Sequence, residues 1–304
     1  MSTLHLKQWE EYILAGLGAS LAGVFTNPLE VIKTRIQLQG ELQVRGKYTV
    51  HYRNVFHAFY TVAKIEGISA LQKGLIPAVW VQFVLNGSRL GTYQFLDNHG
   101  FTRNKNGEVV VYKSALSGIG AGLLSAFIGN PFQLVKTHLQ SMSNANIAVG
   151  HQHGHTTMMN GFRSIYSKFG ITGLWRGSVA SMTRISIAGS FQLTSFIVEV
   201  DSWHGNLLSS FIGSCIVGTT MTPFDVLSTR LFNQPVDQKT GKGLLYNGIV
   251  DATLKIYRIE GVRGFFKGFT ASFIRRSPHT ILSLFFWQQS RSIYGTMKRN
   301  IGNN

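Results

Sequence analysis

The stretch NPLEVIKTRIQLQ, residues 27–39, ends a long apolar run that begins near Ile13. It carries a proline and charged side chains where a membrane-spanning helix would hold apolar residues. Pro28 removes a backbone donor and bends a helix, and Glu30 and Lys33 lie one turn apart on one helix face. Ionisable groups at membrane depth are costly and normally face the interior of a helix bundle, paired with one another. The stretch therefore raises the question of whether it occurs again in the chain and whether its charged side chains have oppositely charged partners.

The composition favours a membrane protein. Of 304 residues, 44% are hydrophobic, only 14% are charged and 33 are glycine. Soluble proteins carry about 25% charged residues, and glycine is more frequent in membrane helices. Basic residues outnumber acidic ones by 29 to 13, which gives a formal net charge of +16. This excess suits nucleic acid, anionic lipid or an anionic small molecule, and nucleic acid is least favoured because no basic run is interleaved with aromatic residues.

Other sequence signals exclude several classes of chemistry. Cys215 is the only cysteine, so a disulfide framework and a thiolate metal cluster are excluded. The segment MSTLHLKQWEEYIL shows neither the arginine-rich pattern of a cleaved organellar presequence nor the pattern of a secretory signal. We therefore expect any targeting information to be internal. No nucleophile–base pair is recognisable, so we do not expect an enzyme.

The opening stretch occurs three times. NPFQLVKTHLQ begins at Asn130 and TPFDVLSTRLFNQ begins at Thr222, and the prolines of the three copies are separated by 103 and 92 residues. A second signal follows each proline, in the stretches EGISALQKG, FGITGLWRG and EGVRGFFKG. The proline precedes the last glycine of that signal by 46, 46 and 45 residues. Such regular spacing indicates three structural repeats.

Each repeat predicts the same set of helices. A long apolar helix has its proline near the end, and a polar loop and a short amphipathic helix follow. The short helices are expected at residues 54–65, 162–169 and 249–259. The second apolar stretches are residues 75–96, 178–198 and 269–287. Since about 20 residues suffice to cross a bilayer, we expect an all-α membrane protein with six transmembrane helices. The repeats are expected to span residues 9–99, 109–201 and 206–298.

The triplicated motif resembles that of the mitochondrial carrier family, solute carrier family 25, over nearly the whole chain. The segments TNPLEVIKTRIQLQGEL, HYRNVFHAF, ALQKG and SPHTILSLFFW most resemble the member 34/35 subgroup, a relative of which is the yeast oxaloacetate carrier. The resemblance implies six tilted helices around a central cavity, three-fold pseudosymmetry and three short helices on the matrix side. It also implies a monomeric, multi-pass protein of the mitochondrial inner membrane that opens alternately to the intermembrane space and the matrix.

The resemblance further implies a gate at the matrix end of the cavity. By pseudosymmetry, the polar positions after the three prolines meet there as a ring of pairs between neighbouring helices. The implied pairs are Glu30 with Lys136, Lys33 with Asp225, and Gln133 with Ser228. The third pair departs from the family's acid–base rule on both sides, so it leaves no charge uncompensated and can still form a hydrogen bond. The alternative is that these charges only stabilise helix ends.

The gate is expected to be asymmetric. In related carriers, glutamines nine residues past the prolines brace the ring, and Gln37 and Gln140 occupy two of those positions. Phe232 occupies the third position and cannot form the polar contact, so we expect a weak matrix gate. For the opposite gate the candidate segments are residues 93–97, 196–200 and 287–291. None has the family's full charge pattern, so we expect a sparse closure by hydrogen bonds and aromatic side chains.

The substrate contacts implied by the family lie seven and eight residues past the glycines of the basic–glycine pairs. They are Val81, Gln82, Arg184, Ile185, Arg275 and Arg276. Arg89 lies two turns past Gln82 and shares its helix face. Guanidinium groups bind carboxylate or phosphate through two parallel hydrogen bonds, so arginines within apolar helices predict a site for a small anionic substrate. The alternative, that arginines extend to lipid headgroups, suits Arg276 better than Arg184 or Arg275.

The expected cargo is a dicarboxylate or oxocarboxylate such as oxaloacetate, moved by exchange or together with a proton. We expect no acidic residue at the level of the arginines, which disfavours amine-bearing cargoes such as amino acids, carnitine and polyamines. Related carriers of keto acids have a polar residue after the arginine of the fourth helix, and Ile185 replaces it here. Alternatives therefore remain: sulfate, phosphate or a phosphorylated cofactor and, from another class, a lipid-binding platform with the carrier fold and no transport.

Two further features concern ligands. Basic–glycine pairs open the second helix of each repeat, at Lys73 and Gly74, Arg176 and Gly177, and Lys267 and Gly268. A helix amino terminus beside a base suits phosphate, and the resemblance implies that cardiolipin binds there as a structural lipid, with no other cofactor. The stretch HQHGH, residues 151–155, alternates imidazoles without cysteine or carboxylate partners. We expect it to be a solvated loop rather than a metal site.

Overall fold

The computed structural model describes residues 8–44, 46–104, 110–196 and 203–302. Six long helices dominate this part of the chain: α1 (Gln8–Leu38), α3 (Leu75–Asn98), α4 (Val111–Ser141), α6 (Ser178–Phe196), α7 (Trp203–Asn233) and α10 (Phe269–Gly302). Four shorter helices lie between them: α2 (Val55–Glu66), α5 (Met158–Gly173), α8 (Ile249–Glu260) and α9 (Val262–Phe265). Two 3₁₀ turns complete the described elements, Ile68–Gln72 and Ala145–Ile147.

The six long helices form a closed ring, as the sequence predicts. α1 packs against α3, α3 against α4, α4 against α6 and α6 against α7, and α10 contacts both α7 and α1. The three proline-bearing helices α1, α4 and α7 also contact one another. At Gly18 an added Cβ would lie 2.7 Å from the backbone nitrogen of Trp287, so this glycine permits the close approach of α1 to α10.

The outer surface of the ring is apolar. Large side chains such as Phe25, Ile76, Leu116 and Ile281 are 63–65% exposed on the long helices, which suits contact with lipid. Among the described residues, three segments are long and apolar enough to cross a membrane by length and composition: Tyr12–Leu38, Ile68–Asn98 and Tyr112–Ser141.

The predicted prolines lie inside the helices. Pro28, Pro131 and Pro223 fall within α1, α4 and α7. In repeats 1 and 2, the side chain of the residue before the proline donates a hydrogen bond to the backbone of the basic–glycine pair in the same repeat. The side chain of Asn27 donates to the carbonyl of Lys73 at 3.4 Å, and that of Asn130 donates to the carbonyl of Arg176 at 3.2 Å.

The short helices α2 and α8 each pack one apolar face on a proline-bearing helix, α2 on α1 and α8 on α7. Asn54 caps α2 by accepting a hydrogen bond from the backbone of His57 at 2.8 Å, which satisfies a free amide of the first turn. The buried residues are Val55, Ala58 and Val62 in α2 and Ala252 and Ile256 in α8. Glycines with positive φ follow at positions 67 and 261, with values of 87° and 68°, and they reverse the chain toward the next long helix.

Two predicted helices are too short. The short helix of repeat 2 was expected at residues 162–169, but α5 runs from Met158 to Gly173, because Thr157 caps it and a further turn follows Gly170. The last helix was expected to end at residue 287, but α10 continues to Gly302. Glutamine, arginine, methionine and lysine support a helix without an apolar environment, so its polar end extends beyond the apolar stretch. Residues 197–198 of the predicted fourth span lie outside the described residues.

Candidate functional site

Two ion pairs join the proline-bent helices at one end of the ring. Lys33 Nζ of α1 lies 2.7 Å from Asp225 Oδ2 of α7, and Lys136 Nζ of α4 lies 2.6 Å from Glu30 Oε1 of α1. The four side chains are only 4–14% exposed. Both charge pairs implied by the family pattern are therefore formed, and they link α1 to each of the other two bent helices.

The third implied pair is not formed. The Ser228 hydroxyl of α7 donates to the carbonyl of Ala180 in α6 at 3.3 Å rather than to Gln133. The backbone carbonyl of Gln133 accepts from Thr137 within α4 at 2.9 Å. A serine side chain is too short to reach across the axis, so it bonds to the adjacent helix instead. Among the described residues, no ion pair therefore joins α4 to α7 at this level.

A layer of threonine–glutamine hydrogen bonds lies below the ion pairs. Thr34 of α1 donates to Gln140 of α4 at 3.1 Å, and Thr229 of α7 donates to Gln37 of α1 at 2.8 Å. Gln140 also donates to Asn27 at 3.1 Å. The two glutamines thus connect the same helix pairs that the ion pairs connect.

The third position of this layer is apolar. Phe232 is 1% exposed and packs with Leu134, Val135 and Leu139 of α4. An added Cβ at Gly177 would lie 2.8 Å from the Phe232 ring, so the glycine gives the ring its space. The layer is therefore polar at two helix interfaces and apolar between α4 and α7, which is the asymmetry that the sequence predicts.

A further ring of contacts lies beneath this layer, and the sequence analysis missed it. The residue seven positions past each proline reaches a backbone carbonyl at the end of the next bent helix. The contacts are Arg35 Nε to Gln140 at 3.3 Å, His138 Nε2 to Phe232 at 2.8 Å, and Arg230 Nε to Gln37 at 3.3 Å. They run from α1 to α4, from α4 to α7 and from α7 to α1. The equal spacing from the prolines was the signal that indicated these residues.

In repeats 1 and 3, buried ion pairs anchor this ring. The Arg35 guanidinium contacts both carboxylate oxygens of Glu66, at 2.7 and 3.0 Å. Arg230 contacts both oxygens of Glu260 in the same way, and neither arginine side chain is exposed. Burial raises the pKa of the Glu66 carboxyl, but the hydrogen bonds that it accepts outweigh burial, so its pKa lies below the usual value. The carboxylates therefore stay charged at neutral pH.

In repeat 2, His138 and Phe169 replace both members of this pair. His138 stacks on His153 of the following loop with ring centroids 3.5 Å apart, and the His155 ring lies 5.6 Å from His138. His155 is 7% exposed. The prediction of a solvated loop at residues 151–155 is therefore wrong for His153 and His155, whereas His151 and Gly154 are exposed. The loop folds beneath α4 because His138, which is distant in sequence, supplies a partner for its imidazoles.

A cavity of about 190 Å³ lies directly against the ion pairs. Its charged lining residues are Lys33, Lys136, Arg184, Arg275, Arg276, Glu30 and Asp225. Five cationic side chains and two carboxylates leave three positive charges in excess. The neutral lining includes the hydroxyl groups of Thr137 and Ser272, so the cavity offers hydrogen-bond donors besides its charge.

The three cavity arginines contact the carboxylates of the ion pairs. Arg275 lies 3.0 Å from Glu30, and Arg184 and Arg276 lie 3.5 and 3.6 Å from Asp225. The expectation that no acid lies at the level of the arginines is therefore wrong, because the carboxylates reach up into the cavity from the bent helices. The three arginines face the cavity rather than lipid headgroups.

Four of the implied substrate contacts lie outside the lining of this cavity. Val81 is 2% exposed and packed between helices. Ile185 packs on α4, where an added Cβ at Gly122 would lie 2.8 Å from its methyl group. Gln82 contacts His279 at 3.4 Å. Arg89 follows Gln82 by about 10 Å along α3, which carries it away from the ion pairs. A count from the glycine gives the depth of a residue but not the face that it occupies.

His279 is a polar group beside the cavity that the sequence analysis missed. Its Nδ1 lies 3.0 Å from the hydroxyl of Thr26 in α1, and its Nε2 lies 3.4 Å from Gln82 in α3. The residue lies one turn past Arg275 on α10, and this spacing indicates a shared helix face. His279 thus connects α10 with α1 and α3. It lies on the opposite side of the arginines from the ion pairs.

The opposite end of the ring differs from the predicted gate within the described residues. Gln94 of α3 accepts a hydrogen bond from Tyr12 of α1 at 2.9 Å. Asp97 pairs with Arg103 just beyond the same helix at 3.2 Å, and not with another repeat. Apart from its first residue, the segment 196–200 lies outside the described residues. At the same end, Glu10 of α1 pairs with Lys298 of α10 at 2.9 Å and accepts a hydrogen bond from Tyr294 at 2.8 Å. The described part of this end is therefore held by hydrogen bonds and by an ion pair between α1 and α10.

The basic–glycine pairs lie at the amino ends of α3, α6 and α10. Their glycines are residues 74, 177 and 268, with φ values of 72°, 75° and 76°. Lys73 and Lys267 each lie 2.6 Å from a buried carboxylate, Glu66 or Glu260. Arg176 instead stacks on the ring of Phe169 at 4.7 Å. Each of these bases therefore lies at the amino end of a helix and also contacts the layer of arginine and histidine contacts beneath the ion pairs.

Comparison with known proteins places the chain in a family. The family profile described as Mitochondrial carrier protein matches residues 4–104, 107–198 and 199–298. Solute carrier family 25 member 35 of Homo sapiens is 48% identical and covers 94% of this chain and 99% of its own length. The mitochondrial oxaloacetate transport protein of Saccharomyces cerevisiae is 36% identical over 98% of this chain and 94% of its own. The mitochondrial citrate transporter E of Aspergillus niger is 34% identical over 93% and 92%.

The ion pair between α1 and α7 provides a first test. Lys33→Ala should lower stability by about 2 kcal/mol, less than the ~3–5 kcal/mol for a buried charge left alone, because Arg184 and Arg276 remain near Asp225. Combining Lys33→Asp with Asp225→Lys should restore part of the stability and of the uptake into liposomes, since opposite charges face each other again. The measurements are thermal unfolding and uptake rate, with the exposed Lys47→Ala as control. A swapped variant no better than either single variant would show that the charges only stabilise helix ends.

Proposed function

The chain belongs to the mitochondrial carrier family and is a multi-pass transporter of the mitochondrial inner membrane, and we propose that its cargo is a small anion with two carboxyl groups. Oxaloacetate and related oxo- or dicarboxylates are the compounds that we propose. The observation that carries this proposal is the charge of the cavity, where five cationic side chains face two carboxylates. Buried charge without a counterion is costly, and a doubly charged anion removes most of the excess.

The positions of the arginines suit a substrate with a carboxylate at each end. Arg184 belongs to α6 and Arg275 to α10, and each is within 3.5 Å of a different carboxylate of the protein. A guanidinium group binds a carboxylate through two parallel hydrogen bonds, so one arginine is available for each end of the cargo. The Ser272 hydroxyl in the same cavity is available to donate to an oxo group between the two ends, and the Thr137 hydroxyl, which donates to Gln133, can accept from a hydroxyl group there.

The relatives support the same chemical class. Their printed names give oxaloacetate for the Saccharomyces cerevisiae protein and citrate for the Aspergillus niger protein, and both compounds are small carboxylates. This agreement favours a carboxylate over sulfate, phosphate or a phosphorylated cofactor. The non-transporting platform is less favoured, because a lipid-binding role gives no reason for three arginines to face an internal cavity.

The geometry also suggests how cargo is coupled to opening. Arg275 holds Glu30 while Glu30 holds Lys136, and Arg184 lies beside Asp225 in the same way. When cargo carboxylates take up the guanidinium groups, the two protein carboxylates lose part of their stabilisation. The ion pairs then separate more easily, and the bent helices open toward the matrix. After the cargo leaves, the cavity again holds excess positive charge and needs a counterion. The carrier therefore takes up a second anion, and transport is an exchange of one anion for another.

Cardiolipin is the structural lipid in this proposal, and the carrier acts as a monomer because one ring of helices encloses the cavity. The amino ends of α3, α6 and α10 present free backbone amides beside a base, which suits phosphate. Arg176 is the most informative of the three bases for a mutational test of lipid binding. It stacks on an aromatic ring, so its removal breaks no buried ion pair with a carboxylate.

The lipid proposal is tested by thermal unfolding in detergent. Cardiolipin should raise the Tm of the native chain through its preference for the folded state. Arg176→Gln should reduce this rise by about one third, and adding Lys73→Gln and Lys267→Gln should remove it. The exposed Arg163→Gln is the matched control and should keep the full rise. A triple variant that responds like the native chain would refute lipid binding at these helix ends.

The cargo proposal is tested by uptake into liposomes from a panel of oxaloacetate, malate, sulfate and phosphate. Arg184→Gln and Arg275→Gln should each lower oxaloacetate uptake roughly 10- to 100-fold, since each removes a charge-assisted contact. Their Tm should change little, because each removal relieves repulsion among the cavity cations while Glu30 and Asp225 keep their lysine partners. The exposed Arg258→Gln is the control and should transport normally.

Three results would contradict the cargo proposal. Uptake of sulfate or phosphate without uptake of any dicarboxylate would identify another anion. Absence of uptake for every anion of the panel, in folded protein, would favour the lipid-binding platform. Undiminished oxaloacetate uptake by both arginine variants would show that the anion binds elsewhere.

A further inference from the structure

Three imidazoles of repeat 2 converge beneath the cavity. His138 comes from the end of α4, and His153 and His155 come from the loop that follows. One ring nitrogen of each residue lies within 4.8 Å of those of the other two. The cluster lies where repeats 1 and 3 hold a buried arginine–glutamate pair, so it replaces a structural ion pair with a set of neutral ligands.

Hydrogen bonds determine which ring nitrogens carry the lone pairs. Nε2 of His138 lies 2.8 Å from the carbonyl of Phe232, and Nε2 of His153 lies 3.1 Å from the carbonyl of Asn233. A carbonyl oxygen only accepts, so in the neutral rings the proton is on Nε2 and Nδ1 keeps its lone pair. In the described part of the chain, Nδ1 of His138 is buried without a hydrogen-bond partner. A histidine that binds a metal commonly donates its other N–H to a backbone carbonyl.

The loop imidazoles are neutral at physiological pH. Burial, together with the neighbouring His151, lowers the pKa of His153 to about 3. Burial and the charge of Lys168 also lower the pKa of His155. Neutral imidazole is the form that binds metal ions, so no proton has to leave before an ion enters. The low pKa values also exclude a proton switch at this cluster between pH 6 and pH 8.

We propose that His138, His153 and His155 bind a zinc ion. Imidazole suits Zn²⁺, and three histidines with a water molecule make a tetrahedral site. Zinc–nitrogen bonds of ~2.0–2.1 Å place the nitrogens about 3.3 Å apart, so the loop must move inward and His153 must tilt away from His138. Gly154, with φ of 72° and open space where a Cβ would lie, follows His153 and gives the loop that freedom.

Zinc binding here has a defined consequence for the carrier. The rings of His138 and His153 already bond to the carbonyls of Phe232 and Asn233 at the end of α7. An ion that joins these rings holds α4 against α7, the interface that the other layers leave with neutral or apolar contacts. Bound zinc therefore strengthens closure at the matrix end and slows opening.

The surroundings also limit the affinity. The cluster lines a cavity of about 120 Å³ together with Lys168 and Arg176. These two cations repel an incoming dication, so the ion binds reversibly and chelators remove it. The site therefore suits a regulatory ion rather than a permanent structural one.

The experiment uses the full chain in detergent, first freed of metal with EDTA and then titrated with Zn²⁺ alone. We expect one ion per chain by elemental analysis and a Tm rise of about 5 °C at a hundredfold excess over the dissociation constant. EDTA should reverse the rise. Co²⁺ in place of Zn²⁺ should give the visible absorption of a tetrahedral site with nitrogen ligands.

Variants separate the site from general metal binding. His153→Gln and His155→Gln should each lose most of the Tm rise and the stoichiometric ion. His151→Gln, in the same loop, should keep both. In the double variant His138→Arg with Phe169→Glu, the arginine–glutamate pair of the other repeats replaces the cluster, so the chain should fold without responding to zinc. Zn²⁺ should slow uptake by the native chain and not by this double variant.

The inference is overturned by any of three results. These are less than one ion per chain at saturation, a Tm rise that survives in both His153→Gln and His155→Gln, or a rise lost equally in His151→Gln. Because these readouts are stoichiometry and Tm, they hold whether or not oxaloacetate is the cargo. Failure of the cargo test and failure of the zinc test are therefore distinguishable.

Discussion

Each buried carboxylate at the end of the cavity is shared between a lysine of a neighbouring bent helix and at least one arginine of the cavity. Glu30 lies 2.6 Å from Lys136 and 3.0 Å from Arg275, and Asp225 lies 2.7 Å from Lys33 and 3.5 Å from Arg184. The lysines belong to neighbouring bent helices, whereas the arginines face the cavity. A carboxylate buried at this depth needs its cations, so closure of the helices and occupancy of the cavity are not independent. This sharing links the fold to the proposed transport.

The three interfaces between bent helices are unequal. Those of α1 with α4 and with α7 each carry an ion pair and a threonine–glutamine hydrogen bond. The interface of α4 with α7 is held by Phe232 and by the contact from His138 to its carbonyl. Removing charges in pairs leaves no charge uncompensated, so the fold tolerates the change. The α4–α7 interface is then the one most readily strengthened by a bound ion.

The sequence was sufficient for the fold and for both ion pairs. Three prolines in register define the repeats, and the resemblance to the carrier family implies the partners of Glu30 and Lys33. It was insufficient where a side chain's direction matters. Val81 and Ile185 have the expected depth but face neighbouring helices. The contact of Arg275 with Glu30 depends on the bend of α1, which no spacing supplies. The histidine loop has no periodicity, so its approach to α4 could not be predicted, although aligning the repeats would have shown His138 in place of an arginine.

The most direct measurement is the distance between the carboxyl-terminal ends of α1 and α7, below the ion pairs, with and without cargo. Spin labels at Val44→Cys and Lys239→Cys, in a Cys215→Ser background, lie on exposed residues beyond these helices. Saturating oxaloacetate should shift the distribution measured by pulsed electron resonance toward longer distances, because the cargo withdraws the arginines from Glu30 and Asp225. The same labels in an Arg184→Gln, Arg275→Gln chain should show no cargo-dependent shift. An unchanged distribution under conditions where the labelled native chain transports oxaloacetate would contradict the coupling of cargo to the ion pairs.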